Sequence, residues 1–260
     1  MSQEIFNTFN VKYLSASSIN KWTGDRGAWV AHYVYGIRGE VGPAAWRGGA
    51  VEDGLTAYVT GANVDPLQHA MMTFERDAQG DLDDEVDKER GLIEPMLQQA
   101  IGAWNEAKLG RPITQQIRIE TWLDGVAVPL IGYADYIMDG YCLDLKTTKA
   151  LPSKPKHDHV LQTAGYARAR QEGKASLLYV TGKKSAIYDI EAEQVEEAIS
   201  DLTRRARGLQ NTLTAAWIGA GGDPDKAKDK IAEMCPPNID HFFWSDADFI
   251  NAQSQIQAWQ

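Results

Sequence analysis

Hydrophobic residues recur at helical spacing through the first 112 residues of the chain. This spacing covers residues 15–22, 28–35, 43–61 and 83–109, and a further helix is predicted to begin at Asp65-Pro66. Ser15 and Asp65 are residue types that cap helix N-termini, and Pro43 suits a first helical turn. Gly110-Arg111-Pro112 ends the series. Three or four helices are therefore predicted before any strand.

The period changes to two after this point, which is typical of strands. Residues 115–123 alternate between apolar and polar side chains, and Asp124-Gly125 is a strong signal for a two-residue hairpin turn. Residues 126–138 predict a second strand, bent at Gly132, and Asp139-Gly140 predicts a second tight turn. Residues 141–146 complete three consecutive antiparallel strands.

The remaining pattern predicts a helix over residues 157–173, strands at 175–180 and 185–190, and a long amphipathic helix over 191–217. Shorter helices follow Asp223-Pro224 and Ser245. We predict one α/β domain spanning 1–260, with a mainly helical part (1–112), a mixed central sheet flanked by helices (113–190) and C-terminal helices (191–260).

Composition excludes several classes of protein. No apolar run approaches the roughly 20 residues that cross a bilayer, and the first residues resemble no secretion signal. Two cysteines, Cys142 and Cys235, are too few for a disulfide framework, so we expect a reducing compartment, the cytoplasm. The net charge of −10 argues against a general nucleic-acid coat protein.

Charge is distributed unevenly along the chain. Residues 75–94 carry nine acidic and three basic side chains, whereas residues 146–174 carry seven basic and two acidic ones. Such runs are usually solvated helix faces, but a basic strip on an acidic body also suits an enzyme that handles a polyanion at one place.

The third predicted strand carries the chemistry in Asp144-Leu145-Lys146. Alternation places the carboxylate and the ammonium on the same face of the sheet. A carboxylate binds Mg²⁺ through oxygen, and a neighbouring lysine can orient water and stabilise charge on a phosphoryl oxygen. The triplet also occurs at residues 106–108 and 172–174, but only the copy at 144 lies within a predicted strand.

Further candidates lie on the neighbouring elements. Asp135, on the second strand, lies near the hairpin end that leads back to Asp144, so the two carboxylates could share a cation. Gln162 and Tyr166 are one turn apart on the following helix and emerge side by side. Taken singly, each of these residues also suits an ordinary solvated or half-buried position.

Together these motifs resemble a known family. Gly132-x-x-Asp135, Asp144-x-Lys146-Thr147-Thr148 and Gln162-x-x-x-Tyr166 look like the nuclease signature of the RecB-like branch of the PD-(D/E)XK superfamily. That branch includes RecB-type nuclease domains, CRISPR-associated exonucleases and many phage-encoded exonucleases. The resemblance implies a restriction-endonuclease-like core, in the order helix, three strands, helix, strand.

The resemblance also implies roles for residues outside these motifs. Residues 14–19 are similar to the serine-rich opening of the family's N-terminal helix, and residues 47–52 to a motif ending in a metal ligand, where RecB has His and this chain has Glu52. Asp53 is the rival for that role. The implied Mg²⁺ or Mn²⁺ ligands are Glu52, Asp135, Asp144 and the carbonyl of Leu145; the implied DNA contacts are Ser17, Arg47, Lys149, Lys154 and Lys156.

Many relatives bind an iron-sulfur cluster through four cysteines, which this chain does not contain. We therefore expect no cluster, and expect aromatic packing by Phe242, Phe243, Trp244 and Phe249 to hold the C-terminal region instead.

The functional prediction is a divalent-metal-dependent deoxyribonuclease, and more specifically a DNA exonuclease acting in phage replication, recombination or DNA processing. Two alternatives stay open. One is a structure-selective endonuclease on the same fold, and the other is a non-catalytic DNA-binding or recombination-partner module. The predicted partners are a DNA substrate and a single-strand annealing or recombination protein.

Overall fold

The computed structural model describes residues 2–39, 41–81 and 83–260. Two compact units are present, and neither is a continuous stretch of chain. The first unit comprises Met1–Gly39, Glu120–Gly132 and Glu196–Gln260, and the second comprises Glu40–Ile119 and Tyr133–Val195. The single domain predicted over 1–260 stays a prediction.

The first unit is helical. Its N-terminal stretch contains α1 (Ser2–Thr8), α2 (Ala16–Gly24), α3 (Arg26–Trp29) and a π-helical turn (Val30–Val34). Ser15 caps α2 by accepting a hydrogen bond from the Ser18 amide, as predicted. Asp25 then caps α3, and its second oxygen accepts a hydrogen bond from Trp244 Nε1 at 2.7 Å. Trp244 also packs edge-on against Phe249, and Phe242 contacts the Phe243 ring although it is 82% exposed.

The second unit contains the helices that precede the sheet and the helix that interrupts it. These are α4 (Pro43–Thr60), α5 (Pro66–Ala78), α6 (Asp84–Arg90), α7 (Ile93–Glu106) and α8 (His157–Arg170). Pro43 and Pro66 occupy first turns, and Asp65 caps α5, as predicted. The close approach of α4 and α5 requires Gly54, because a Cβ there would lie 2.9 Å from the Pro66 carbonyl oxygen.

Within the described residues, one mixed sheet contains β1 (Thr114–Thr121), β2 (Leu130–Met138), β3 (Tyr141–Thr147), β4 (Lys174–Val180) and β5 (Ser185–Ile190), in that spatial order. Strands β2 and β3 form an antiparallel hairpin through the predicted Asp139-Gly140 turn. Helix α8 then carries the chain to β4, which pairs with β3 in parallel. The predicted fold class is confirmed.

The two faces of β3 have different environments. Leu143 and Leu145 belong to a buried core with residues of α4, α5 and α7, including Leu55, Phe74 and Leu97. Asp144 and Lys146 alternate with them and therefore face the opposite side. Strand alternation thus separates the apolar core from the polar residues on β3.

Two boundaries differ from the prediction. The helical pattern over 83–109 is divided into α6, which ends before Gly91, and α7, which begins at Ile93. Strand β2 begins at Leu130 rather than at 126. The predicted turn at Asp124-Gly125 forms, but the Ala127 amide donates to Gln210 of α9 (Ala192–Gly219) instead of to a neighbouring strand.

The C-terminal stretch of the first unit continues α9 with α10 (Pro224–Met234), α11 (Asp246–Gln255) and a short 3₁₀ turn (Gln257–Trp259). Among the described residues, no helix combines the length and the apolarity that crossing a lipid bilayer requires.

Candidate active site

An ion pair on β3 forms the centre of the site. Lys146 Nζ lies 2.7 Å from Asp144 Oδ2, and the Asp144 side chain is completely buried. The two residues alternate along the strand and share a face, as the sequence predicts. A carboxylate without solvent is costly unless a cation compensates it, and Lys146 provides one such charge.

Asp135 joins this centre from the neighbouring strand β2. Its Oδ2 accepts a hydrogen bond of 2.8 Å from the Leu145 amide. The next residue, Tyr136, is buried and directs its hydroxyl to the Glu52 carbonyl oxygen at 3.3 Å and to Thr56 Oγ1 at 3.0 Å. Tyr136 therefore fastens the middle of α4 to the strand that carries Asp135.

Glu52, and not its rival Asp53, faces the carboxylates of the sheet. Glu52 is within hydrogen-bonding reach of Asp135, and Asp144 acts on it electrostatically. Asp53 instead accepts a hydrogen bond of 2.8 Å from Thr73 Oγ1 on α5. Three acidic side chains from α4, β2 and β3 are thus brought together, although they are separated by up to 92 positions in the sequence.

Crowding of these acids changes their affinity for protons. Burial, followed by the Asp144 carboxylate, raises the pKa of Glu52 to about 7. The pKa of Asp135 is raised well above its ordinary value by burial and then by Asp144 and Glu52, and burial also raises the pKa of Asp144. Burial alone would lower the pKa of Lys146, but Asp144 and the other carboxylates outweigh it and raise that pKa. Lys146 is therefore a cation at neutral pH.

The same carboxylates fit a divalent cation. Glu52 Oε1 and Asp144 Oδ1 are buried and have no hydrogen-bond partner among the described residues. Buried oxygens of this kind are normally satisfied by a donor or an ion, and hard oxygen ligands are those that Mg²⁺ and Mn²⁺ prefer. Glu52, Asp135 and Asp144 are thus suitable ligands in type and charge.

Across residues 2–39, 41–81 and 83–260, no three His, Cys, Asp or Glu side chains are arranged so that they could hold a metal ion by themselves. Mg²⁺ is commonly bound through one or two carboxylates, with water and substrate phosphate completing its shell. The donor set here is compatible with that incomplete mode of binding.

A hydrogen-bond chain leads from Lys146 to α8. Lys146 Nζ donates to Gln162 Oε1 at 3.1 Å, and Gln162 Nε2 donates to Tyr166 Oη at 2.5 Å. The sequence predicts that these two residues emerge side by side, and the structure places both next to Lys146. Two of the three Lys146 donors are thus directed at Asp144 and Gln162, and within the described part of the chain no partner occupies the third, which can donate to water or a phosphate oxygen.

Arg47 lies elsewhere than predicted. The sequence predicts a phosphate contact, whereas the structure buries Arg47 in an ion pair with Glu89, and its Nη2 donates to Thr147 Oγ1 at 3.2 Å. The guanidinium is therefore committed to the protein interior, although its Nε has no partner among the described residues. Glu89 itself belongs to the acidic run that the sequence suggests is solvated. Its position three residues after Val86 and four before Ile93 is the signal that would have placed it on a buried helix face.

The predicted lysines lie on the loop between β3 and α8, residues 148–156, which we call the basic loop. Lys154 and Lys156 are exposed, and the Lys149 side chain is 75% exposed with its Nζ 3.6 Å from Glu89. Two tyrosines fasten the loop to the sheet, since Tyr188 Oη donates to the Pro152 carbonyl oxygen at 2.5 Å and Tyr179 Oη accepts from the Lys156 amide at 3.1 Å. Neither tyrosine is identified as functional from the sequence.

Ser17, the remaining predicted DNA contact, belongs to the first unit. It is exposed at the start of α2, and its Oγ lies 2.9 Å from Ser15 Oγ. Its role as a DNA contact stays a prediction.

The mixed sheet thus carries an aspartate and a lysine on one strand and a second aspartate on the neighbouring strand, with a glutamate on the preceding helix. The family model described as the PD-(D/E)XK nuclease superfamily matches residues 13–237. The chain belongs to this superfamily, and the superfamily part of the predicted resemblance is confirmed.

One solved structure has a similar fold. A "Putative exonuclease" from Eubacterium rectale is 16% identical and superposes with a TM-score of 0.54 over 77% of this chain and 82% of its own. The protein SSO0001 is 20% identical, with a TM-score of 0.33 over 57% of this chain and 74% of its own. No protein of curated function matches the chain in sequence.

Proposed function

We propose that this nuclease is a divalent-metal-dependent exodeoxyribonuclease of the RecB-like type. The observation that carries the proposal is the buried Asp144–Lys146 pair with unpartnered carboxylate oxygens beside it. Glu52 and Asp135 would not be expected beside a purely structural ion pair, because three neighbouring acids raise one another's pKa and destabilise the fold.

Each residue has a chemical role in this proposal. Glu52, Asp135, Asp144 and the Leu145 carbonyl would hold Mg²⁺ or Mn²⁺, which when bound lowers the pKa of a water ligand and neutralises charge on the phosphoryl oxygens. Lys146 cannot act as a base because its raised pKa keeps it protonated. Its remaining N–H therefore orients the attacking water and stabilises the negative charge of the pentacovalent phosphorus.

In this proposal, residues of α8 and the basic loop bind and position the substrate. Gln162 accepts a hydrogen bond from the Lys146 ammonium and, with Tyr166, would place the scissile strand. The exposed Lys149, Lys154 and Lys156 supply positive charge for the flanking phosphates. We do not include Arg47 among these contacts, because its guanidinium is buried against Glu89.

The proposal is more specific than the superfamily because it names an exonuclease. Its support is the signature shared with the RecB-like branch and the name of the Eubacterium rectale protein of similar fold. A single-strand annealing or recombination protein is the partner class that the same resemblance suggests.

The test is digestion of end-labelled linear duplex, single-stranded and covalently closed circular DNA with Mg²⁺, Mn²⁺ or EDTA. We expect metal-dependent loss of linear but not circular DNA. Asp144→Asn and Lys146→Ala are each expected to lower the rate by about 10³-fold or more, since each removes a group that acts on the reacting phosphate. Circular dichroism should show both variants folded.

Lys174→Ala is the matched control, because Glu172-Gly173-Lys174 repeats the triplet on the same unit and Lys174 makes a surface ion pair with Glu191. Its rate should equal that of wild type. Cleavage of closed circles would replace the exonuclease by the endonuclease alternative. Unimpaired cleavage by Asp144→Asn would exclude the site itself, and a folded wild type that binds but never cleaves DNA would favour the non-catalytic module.

A further inference from the structure

His159 lies on the first turns of α8, next to the site but outside the roles described above. Its Nδ1 is 2.7 Å from Tyr179 Oη, and the two rings stack with centroids 5.5 Å apart at 26°. Tyr179 is completely buried on β4 and is the parallel-sheet partner of Lys146 on β3. His159 is thus held by a residue that neighbours Lys146 across the sheet.

The hydrogen bonds around Tyr179 determine which His159 nitrogen carries the proton. The Lys156 amide donates to Tyr179 Oη at 3.1 Å, so this oxygen acts as an acceptor there. Among the described residues, the hydroxyl proton of this buried tyrosine has only His159 Nδ1 as an acceptor. His159 Nδ1 therefore accepts, and the ring carries its proton on Nε2.

Electrostatics keep this histidine neutral. Burial lowers the pKa of His159 to about 4, with Lys146 and Lys156 acting in the same direction. The ring is half-buried, and no described residue accepts a hydrogen bond from Nε2. A neutral donor with a fixed direction is thus presented beside two lysines, where a cationic imidazole would be repelled.

We propose that His159 is a substrate-binding residue whose Nε2–H donates to a phosphate of the substrate strand next to Lys146, and that Tyr179 is the residue that positions it. The proposal rests on the nuclease function, because it requires a phosphodiester strand in this groove. Gln162 follows His159 by one helical turn and contacts Lys146, so both side chains project towards the same part of the strand. His159 adds a directional contact there without adding charge.

Two substitutions separate a binding role from a structural one. In His159→Asn the amide can replace Nδ1 and keep the Tyr179 hydrogen bond, but nothing replaces Nε2–H. In His159→Gln the longer amide can present an N–H where Nε2–H lies. We expect His159→Asn to weaken DNA binding by about 10-fold, the size of a lost hydrogen bond to a charged group, and His159→Gln to stay within about 3-fold of wild type. Tyr179→Phe, which frees the ring to change tautomer, should fall between them.

The phosphate can be identified with a set of end-labelled duplexes, each carrying one neutral methylphosphonate at a different position near the end. Binding is measured by fluorescence anisotropy with Ca²⁺ in place of Mg²⁺. At one position, the methylphosphonate should weaken binding to wild type. The same methylphosphonate should not weaken binding to His159→Asn any further, because that variant has already lost the hydrogen bond. Steady-state cleavage should show a raised KM with kcat nearly unchanged.

His69→Gln is the matched control, since His69 is an exposed histidine on α5 of the same unit, and it should behave as wild type. If His159→Asn binds as wild type does while His159→Gln binds weakly, the role is structural and the proposal is overturned. The proposal would also be overturned if, at every position, the loss of binding caused by the methylphosphonate adds to the loss caused by His159→Asn. If wild type neither binds nor cleaves DNA, the nuclease proposal fails and this one falls with it, whereas normal wild-type cleavage with unaffected variants refutes only the role of His159.

Discussion

Two buried ionic clusters lie close to the end of β3, and they differ in the balance of positive and negative charge. In the first, Arg47 is paired with Glu89 and donates to Thr147, so a positive and a negative charge neutralise each other inside the protein. In the second, three carboxylates share the single cation Lys146, and Glu52 Oε1 and Asp144 Oδ1 have no partner among the described residues. We call them the Arg47–Glu89 cluster and the carboxylate cluster.

This difference distinguishes structure from function. A buried charge is tolerated when it is paired, and an excess of one sign raises the free energy of the folded state until something compensates it. The Arg47–Glu89 cluster is complete in charge and holds α4, α6 and the end of β3 together. The carboxylate cluster has an excess of acids, so it is the one that is suited to bind a cation and a phosphodiester.

Breaking the Arg47–Glu89 cluster should have the largest effect on stability. Glu89→Gln leaves the Arg47 charge buried without a counter-charge, and we expect the free energy of unfolding to fall by about 3–5 kcal/mol. Asp144→Asn removes a charge from the crowded cluster, so metal-free stability should stay within about 1 kcal/mol of wild type or rise. Urea denaturation in EDTA measures both.

The control is the double variant Arg47→Met/Glu89→Leu, which removes both charges and should recover much of the lost stability. If Glu89→Gln is as stable as wild type, the pair contributes no more than a surface ion pair. If Asp144→Asn is the more destabilised variant, the assignment of the two clusters is reversed.

Adding a divalent metal should stabilise only the protein with an intact carboxylate cluster. At about a hundred-fold excess over Kd, binding to the folded state adds about 3 kcal/mol, or about 5–10 °C in Tm for a chain of this size. Thermal melts with Mg²⁺ or Mn²⁺ should show this shift for wild type and lose most of it for Asp144→Asn. Glu89→Gln should start from a lower Tm yet keep the shift, and an equal shift in all three proteins would mean that the ion binds elsewhere.

Much of the carboxylate cluster is predictable because its residues obey local rules. Alternation on a strand places Asp144 beside Lys146, and helical spacing places Gln162 beside Tyr166; the structure shows both contacts. The choice of Glu52 over Asp53 is not predictable from spacing, since adjacent residues on a helix differ by about 100° and only the packing of α4 shows which one faces the sheet.

The Arg47–Glu89 cluster is not predictable from local sequence patterns because it depends on long-range packing. Arg47 and Glu89 are 42 positions apart, and a charged residue is solvated more often than buried, so composition favours the wrong environment for both. The same limit applies to strand β2. The turn at Asp124-Gly125 is a local signal, and this turn forms. The Ala127 amide, however, donates to Gln210, 83 positions away, and the strand begins only at Leu130.

The smallest expected effect is the pH dependence of the metal-free protein. The pKa of Glu52 is 4.5 in an exposed state and about 7 in the fold, because burial and Asp144 favour the protonated form. The folded protein therefore binds more protons than the unfolded one across this interval. The stabilising contribution is fully present below about pH 4.5 and is lost as pH rises through about 7.

Glutamine is neutral at every pH, so Glu52→Gln removes this titration together with the effect of Glu52 on the pKa of Asp135. In EDTA, the unfolding free energy of wild type relative to Glu52→Gln should decrease from pH 5 to about pH 7 and level off towards pH 8. With saturating Mg²⁺ the trend should reverse, since the metal binds the ionised carboxylate and stabilises wild type more at high pH. A flat difference in EDTA would mean that Glu52 reaches water in solution and that the carboxylate cluster is less crowded than its unpartnered oxygens indicate.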